Sequence, residues 1–221
     1  MSRPYDHVKR GMDILAAAVL LVLTVPLMAA VAVAILITMG RPVLFRQRRA
    51  GRHGRPFTLV KFRSMRPGDP TAGTLANVAT DGERLTRLGR ALRATSLDEL
   101  PTLWHVLRGE MSLVGPRPLP VEYLDRYTPE QRRRHHVRPG ITGLAQVRGR
   151  NRLSWEQKLQ LDVSYVDSYG LGLDIRLLVE TVGCVLRRSG VSAEGTATAP
   201  VFTGANSAQL AGAESARNPA G

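Results

Sequence analysis

Asp98 and Glu99 stand side by side in TSLDELPTLWHVLRGEMSLVGPRP, residues 95–118, a stretch that closes on Gly-Pro-Arg-Pro. Two adjacent carboxylates at a helix start admit two readings. One is structural: Ser96-x-x-Glu99 matches a capping box, in which the two side chains satisfy free backbone donors, and Asp98 meets the positive end of the helix dipole. The other is chemical. A helix N-terminus offers free N–H groups to an anion, and basic residues of other segments could join it: Lys61 and Arg63 from the strand end KFRSM, Arg93 one turn upstream, and Arg117 pinned between two prolines. Guanidinium groups contact phosphate oxygens in bidentate fashion. A hard cation such as Mg²⁺ takes one or two carboxylates together with substrate phosphates. A carboxylate can also attack phosphorus and form a covalent intermediate. Basic groups around a carboxylate pair therefore suit a diphosphate plus a divalent cation.

The elements that must position these residues begin with an apolar run. Residues 14–39 (ILAAAVLLVLTVPLMAAVAVAILITM) hold 26 residues without a charge, against about 20 needed to span a bilayer. The run is too long for a signal peptide and lacks small residues where one would be cleaved. Pro26 sits at its middle and removes one helical hydrogen bond. Arg3, Lys9 and Arg10 precede the run, and residues 41–66 carry nine Lys/Arg and no acid. Basic flanks prefer the cytoplasmic side. A re-entrant hairpin bent at Pro26 keeps both flanks inside; a kinked spanning helix places one of them outside. The residues alone leave both open.

VLFRQ (43–47) and FTLVKF (57–62) read as strands joined by a basic, glycine-containing turn. Residues 67–82 read as a long loop, 83–94 as a basic amphipathic helix striped by Leu85, Leu88 and Leu92, and 97–108 and 120–137 as helices, the latter breaking near Pro129. The amphipathic helix suits the head-group layer or a packed soluble interior equally. RPGITGLAQVRGRN reads as turn, strand and turn. Two helices follow, one capped by Ser154 and one ending near Gly190, and the tail from Ala205 is small, polar and aperiodic. Lys+Arg total 31 against 18 Asp+Glu, a formal +13, which draws polyanions. Aromatics at 5% disfavour base stacking on single-stranded nucleic acid. The lone Cys184 excludes an internal disulfide. His135-His136 lie in an Arg-rich run and, being adjacent, do not share a helix face; a basic surface suits them better than a metal site.

KRGMDI with its proline-containing apolar run, LFRQRRAGRHGRPFTLVKFRSM, SLDELP followed by LVGPRP, RHHVRPGITGLAQVRGRN and SWEQKLQLDVSYVDSYGLGLDIRLL together resemble the bacterial sugar transferases, in their small monotopic form. The resemblance covers roughly residues 5–204. It implies transfer of a sugar-1-phosphate from a UDP-sugar to polyprenyl (undecaprenyl) phosphate with release of UMP, the first membrane step of glycoconjugate assembly. It implies that Asp98 is the nucleophile of a ping-pong reaction, that Glu99 holds Mg²⁺, and that Arg93, Arg117 and Asp174 lie around the site, with Lys61 and Arg63 in a matching motif. The helix dipole would help keep Asp98 ionised. The implied fold is α+β and mostly helical. It has a re-entrant helix-break-helix bent at Pro26 in residues 1–40, then a cytoplasmic catalytic domain over 41–204 with interfacial amphipathic helices and a small β-sheet, then a disordered tail over 205–221. The implied location is the inner (cytoplasmic) membrane, with the catalytic domain on its cytoplasmic face. The implied partners are UDP-sugar, polyprenyl phosphate and inner-membrane lipid, with no nucleic acid; whether the chain forms homo-oligomers is open. Family members often carry Ser before the bend proline. Here Val25 stands there, with Thr24 as the nearest hydroxyl. The rival functions are a basic membrane-anchored binding protein for anionic lipid or nucleic acid, and a lipid-diphosphate phosphatase.

Overall fold

The apolar run folds as α1 (Tyr5–Met39), which by length and composition could cross a membrane. The computed structural model describes residues 4–68, 81–149, 153–186 and 201–204. The expected break into two helices does not appear as an interruption: α1 runs unbroken with Pro26 inside it. Apolar helices tolerate an internal proline; the carbonyl it leaves without a helical donor is that of Val22, four residues back, while the Thr24 hydroxyl bonds its own i−4 carbonyl, Leu20, at 2.7 Å.

Both ends of α1 dock on the domain that follows. At the N-terminal end Lys9 pairs with Asp174 at 2.5 Å, and Arg10 donates to the Val106 and Leu107 carbonyls at 2.6 and 2.9 Å. Asp13 accepts from the Leu113 N–H at 3.0 Å, and Ala17 is enclosed with Leu103 and Val106. At the C-terminal end Val31 and Ile35 pack on Phe62 and Leu92. Between these anchors Val22 is 74% exposed and Leu23 70%. Such an extent of exposed apolar surface marks an interaction with lipid or a partner rather than with water.

β1 (Leu44–Ala50) and β2 (Pro56–Phe62) form the expected antiparallel hairpin, with Phe45 opposite Lys61. Alternation along β2 sends Phe62 into the core beneath α1 and turns Lys61 to the other face. The expected helix over 83–94 is two pieces, a helical turn at Asp81–Arg84 and α2 (Arg87–Ala94), because Thr86 between them is extended and its hydroxyl accepts from the Gly89 N–H at 2.9 Å. Leu88 and Leu92 pack against α1 and β2, so the leucine stripe lies in the interior, while Arg87 and Arg90 face outward. Gly89 permits this packing: a Cβ there would stand 1.7 Å from the Ser64 carbonyl oxygen.

The expected helix over 97–108 is a 3₁₀ segment (Leu97–Thr102) followed by α3 (Leu103–Arg108). Ser96 is left-handed at φ 58° and makes no side-chain cap, and Pro101 lies inside the segment. An N-cap serine works from extended backbone, so the capping-box reading falls. β3 (Ser112–Val114) pairs in parallel with β4 (Gly140–Thr142), a second two-stranded sheet. Between them, the expected helix over 120–137 is three short pieces: a 3₁₀ turn (Val121–Arg126), α4 (Pro129–Arg132) and a 3₁₀ turn (Arg133–His136). Thr128 and Gln131 form a capping box with Pro129 at the first helical position, which fixes the break. The strand read into ITGLAQV is cut short, because α5 (Leu144–Arg148) takes over after Gly143.

α6 (Trp155–Ser168), capped by Ser154 and Gln157, and α7 (Leu171–Leu186) form as expected. Phe202 packs among Tyr123, Tyr127 and Trp155, whereas Trp104 is exposed. Most of the expected 67–82 loop, the Gly190 cap and the 205–221 tail lie outside the described residues.

Replacing a helix-interior glycine by alanine ordinarily stabilises by roughly 1 kcal/mol. At Gly89 the contact with Ser64 reverses the sign: Gly89→Ala is expected to destabilise by roughly 1–3 kcal/mol. Thermal unfolding in detergent reads this directly, and a Tm above that of the wild type would contradict the packing account.

Candidate active site

Asp98 lies in the 3₁₀ segment with only 4% of its surface exposed, and Glu99 follows it on the same turn. Burial pushes the Asp98 carboxyl above the usual carboxylate range. Glu99 adds to the rise, and Lys61, Arg93 and Arg117 oppose it. The expected help from a helix dipole is thus corrected: a six-residue 3₁₀ turn leaves Asp98 raised, and side-chain cations supply the opposing charge. Burial in turn lowers the Lys61 ammonium to about 8, against the pull of Asp98 and Glu99.

Four chain segments deliver these groups. β2 ends at Lys61. α2 brings Arg93, whose Nε donates to Ser64 Oγ at 3.0 Å, the same residue that Gly89 lets approach. The 3₁₀ segment carries the acids, and the Gly-Pro-Arg-Pro loop carries Arg117. Its Nη2 reaches Glu99 Oε1 at 2.6 Å, with the Arg117 side chain 47% exposed and that of Glu99 23%. The exposure leaves this pair open to solvent and to an incoming anion, and Glu99 keeps the guanidinium firmly charged.

The loop is held by its carbonyls. Pro116 O accepts from Gly140 N–H at 2.9 Å and Leu119 O from Ala50 N–H at 2.9 Å. Arg117 O accepts from Arg134 Nη2 at 2.7 Å, and Pro118 O from Arg49 Nη1 at 3.1 Å. With four successive carbonyls tied down, the backbone is fixed and only the Arg117 side chain remains to move. Arg134 is itself held by a buried ion pair with Asp162, Nε and Nη2 reaching Oδ2 at 3.0 and 2.7 Å. Lys61, Arg93, Asp98, Glu99 and Arg117 line one cleft of about 1710 Å³, together with Arg49, Arg134 and Asp162.

Two sequence-predicted residues serve elsewhere. Arg63 lies at the cleft edge, but its guanidinium caps the end of α1, donating to the carbonyls of Met39, Gly40 and Arg41 at 2.5, 2.6 and 3.1 Å. Asp174 is buried on α7, where it accepts from Tyr5, Lys9 and Tyr165, the first and last at 2.8 and 2.7 Å. It anchors the start of α1 and is not brought to the acids. Pro26 lies in α1 and does not line the cleft, though Leu20 and Thr24 of the same helix do. His135 is buried against Tyr127, with Nδ1 3.3 Å from the Gly51 carbonyl, and no group of three or more His, Cys, Asp or Glu suited to a metal occurs among the described residues.

The sequence reading gives no site role to Arg49 or Arg134, and it takes Asp162 as ordinary helix packing. Arg49 was visible only as one charge in a basic run. Asp162 and Arg134 stand on different elements, and no spacing rule pairs them.

The family model for bacterial sugar transferases matches residues 4–188. The chain is 47% identical over 196 residues to the uncharacterised sugar transferase EpsL of Bacillus subtilis, covering 89% of this chain and 96% of that one. It is 42% identical to a UDP-glucose:undecaprenyl-phosphate glucose-1-phosphate transferase of Caulobacter vibrioides, over 82% of this chain and 70% of the relative. It is 41% identical to a UDP-N-acetylgalactosamine-undecaprenyl-phosphate N-acetylgalactosaminephosphotransferase of Aeromonas hydrophila, over 84% of this chain and 45% of that longer protein. With its acids, its arginine loop and its hairpin lysine inside a match that spans most of its length, the chain belongs to the bacterial sugar transferase family.

Proposed function

We propose that this protein transfers a sugar-1-phosphate from a UDP-sugar to polyprenyl phosphate, with UMP as the other product. The observation that carries the reading is a buried carboxylate, Asp98, set among Lys61, Arg93 and Arg117 in an open cleft. In the first half, Asp98 Oδ attacks the sugar-bearing phosphorus. The bond from that phosphorus to the UMP oxygen breaks, and UMP leaves with the electron pair. In the second half, an oxygen of polyprenyl phosphate attacks the same phosphorus, and the aspartyl oxygen departs as carboxylate. Lys61, Arg93 and Arg117 bind and orient the diphosphate and offset charge that develops on its oxygens. The Arg134–Asp162 pair and Arg49 act at one remove by fixing the Arg117 backbone.

The acids also fit a divalent cation. Two neighbouring carboxylates, one buried and one partly exposed at the cleft, match the donor set that Mg²⁺ uses with substrate phosphates. Glu99 would hold it, with Asp98 beside it, and when bound it neutralises phosphate charge.

The membrane reading rests on α1. Both its ends dock on one domain while its middle stays apolar and exposed, which supports a helix that enters and leaves the bilayer from the same side. The basic flanks support the cytoplasmic face.

Asp98→Asn should abolish UMP release from UDP-sugar and polyprenyl phosphate while leaving the unfolding transition in place, and EDTA should do the same to the wild-type protein. Inorganic phosphate as product, or full activity in Asp98→Asn, would overturn the mechanism. In a Cys184→Ser background, cysteines at Val8 and Arg41 should both react with an impermeant thiol reagent from the cytoplasmic side only. Labelling of one of them from the opposite side would establish a spanning helix.

A further inference from the structure

Gln146, on α5, lines the same cleft as Asp98 and Arg117. Its Oε1 and Nε2 are both buried, and neither has a hydrogen-bond partner among the described residues. Gln146 is the one residue there to leave two such atoms unpaired. A buried amide with neither bond made is costly, so native structures seldom keep one without a reason. Nearby hydroxyls do not relieve it: Thr142 and Thr181 bond each other at 2.7 Å, and Thr181 also donates to the Leu177 carbonyl at 2.6 Å.

The amide lies beside the start of the arginine loop. Gly143 packs against Gly115, so that a Cβ built on Gly143 would stand 2.2 Å from the Gly115 carbonyl oxygen and 3.0 Å from Gln146 Oε1. Gly115 opens the loop that carries Arg117, two residues on. A ligand group at Gln146 would therefore lie on the side of the cleft where the arginine loop begins, and we read it as the part of the substrate next to the phosphate that Arg117 would hold. It must also both donate and accept, because Oε1 needs a donor and Nε2 an acceptor. Phosphate oxygens only accept. The nucleobase is separated from the reacting phosphorus by a ribose and a second phosphate, whereas the hexose is bonded to that phosphate directly. Vicinal sugar hydroxyls supply both functions, and Leu113, Ile141 and Leu178 in the adjoining wall suit the carbon face of a pyranose ring.

We propose that Gln146 is a specificity-determining residue that reads the hydroxyls of the hexose phosphate, Oε1 accepting from one and Nε2 donating to a neighbour. The inference rests on the transferase reading above. The two can fail separately.

The test compares wild type with Gln146→Leu, which keeps the volume and removes both polar atoms, and with Gln146→Met as a second variant. UMP release is measured with Mg²⁺, polyprenyl phosphate and, in turn, UDP-glucose, UDP-galactose and UDP-N-acetylgalactosamine. Inhibition by UDP and the ligand-free Tm are read alongside. The expected result is a Tm at or above that of wild type, unchanged inhibition by UDP, and a roughly 10- to 100-fold loss of kcat/KM whose size differs among the donors. Parallel loss of UDP inhibition would assign the amide to the nucleotide. A lowered Tm in both variants with unaltered donor kinetics would assign it to packing. Either overturns the inference. Equal turnover by wild type and variants overturns it while leaving the transferase reading intact, and absence of UMP from wild type with every donor overturns both.

Discussion

The constraint on which the site depends is the burial of Asp98 beside a second carboxylate. Taking an ionised carboxylate out of water is unfavourable unless opposite charge meets it. Lys61, Arg93 and Arg117 meet it here, and no two of them come from the same element. The hairpin, the α2 helix and the arginine loop therefore have to arrive at one place together. Gly89, with no side chain to keep α2 away from Ser64, and the four anchored carbonyls of the loop are the local devices that secure this.

α1 is built into the same arrangement. Arg10 bonds the carbonyls at the end of α3, the helix that continues the acidic segment, and Asp13 holds the N–H of Leu113 on β3, just ahead of the arginine loop. Tyr165 links the Val114 carbonyl to Asp174, which also accepts from Tyr5 and Lys9. The apolar helix thus reaches the segments that carry Asp98 and Arg117 through short chains of hydrogen bonds. On the transferase reading proposed above, with one water-soluble and one lipid-borne substrate, this arrangement would hold the cleft at a fixed height above the lipid.

Cationic residues divide into two kinds in this fold. Arg63 and Arg134 are buried and bonded to backbone carbonyls or to a partner carboxylate, and they serve as fasteners. Arg117 is half exposed and paired with an acid that is itself partly exposed, which leaves it able to exchange partners. Composition alone gives every one of them the same weight in a net charge of +13.

The sequence by itself determined whatever depends on local pattern or on a short motif. The charge-free run gave α1, alternation gave β1 and β2, and Ser154 announced α6. The two motifs around Asp98-Glu99 and Arg117 gave the heart of the site, because they lie in one stretch of chain. Tertiary structure decided the rest. Capping by Ser96 failed because the residue is left-handed, and the 120–137 helix gave way to turns once Thr128 had capped its own short helix. Arg63 and Asp174 turned from the site to anchoring α1, while Arg49, Arg134 and Asp162 took up its support. The reason is physical: which carbonyl or carboxylate a long side chain reaches is set by elements far apart in sequence, and neither residue type nor spacing carries that distance.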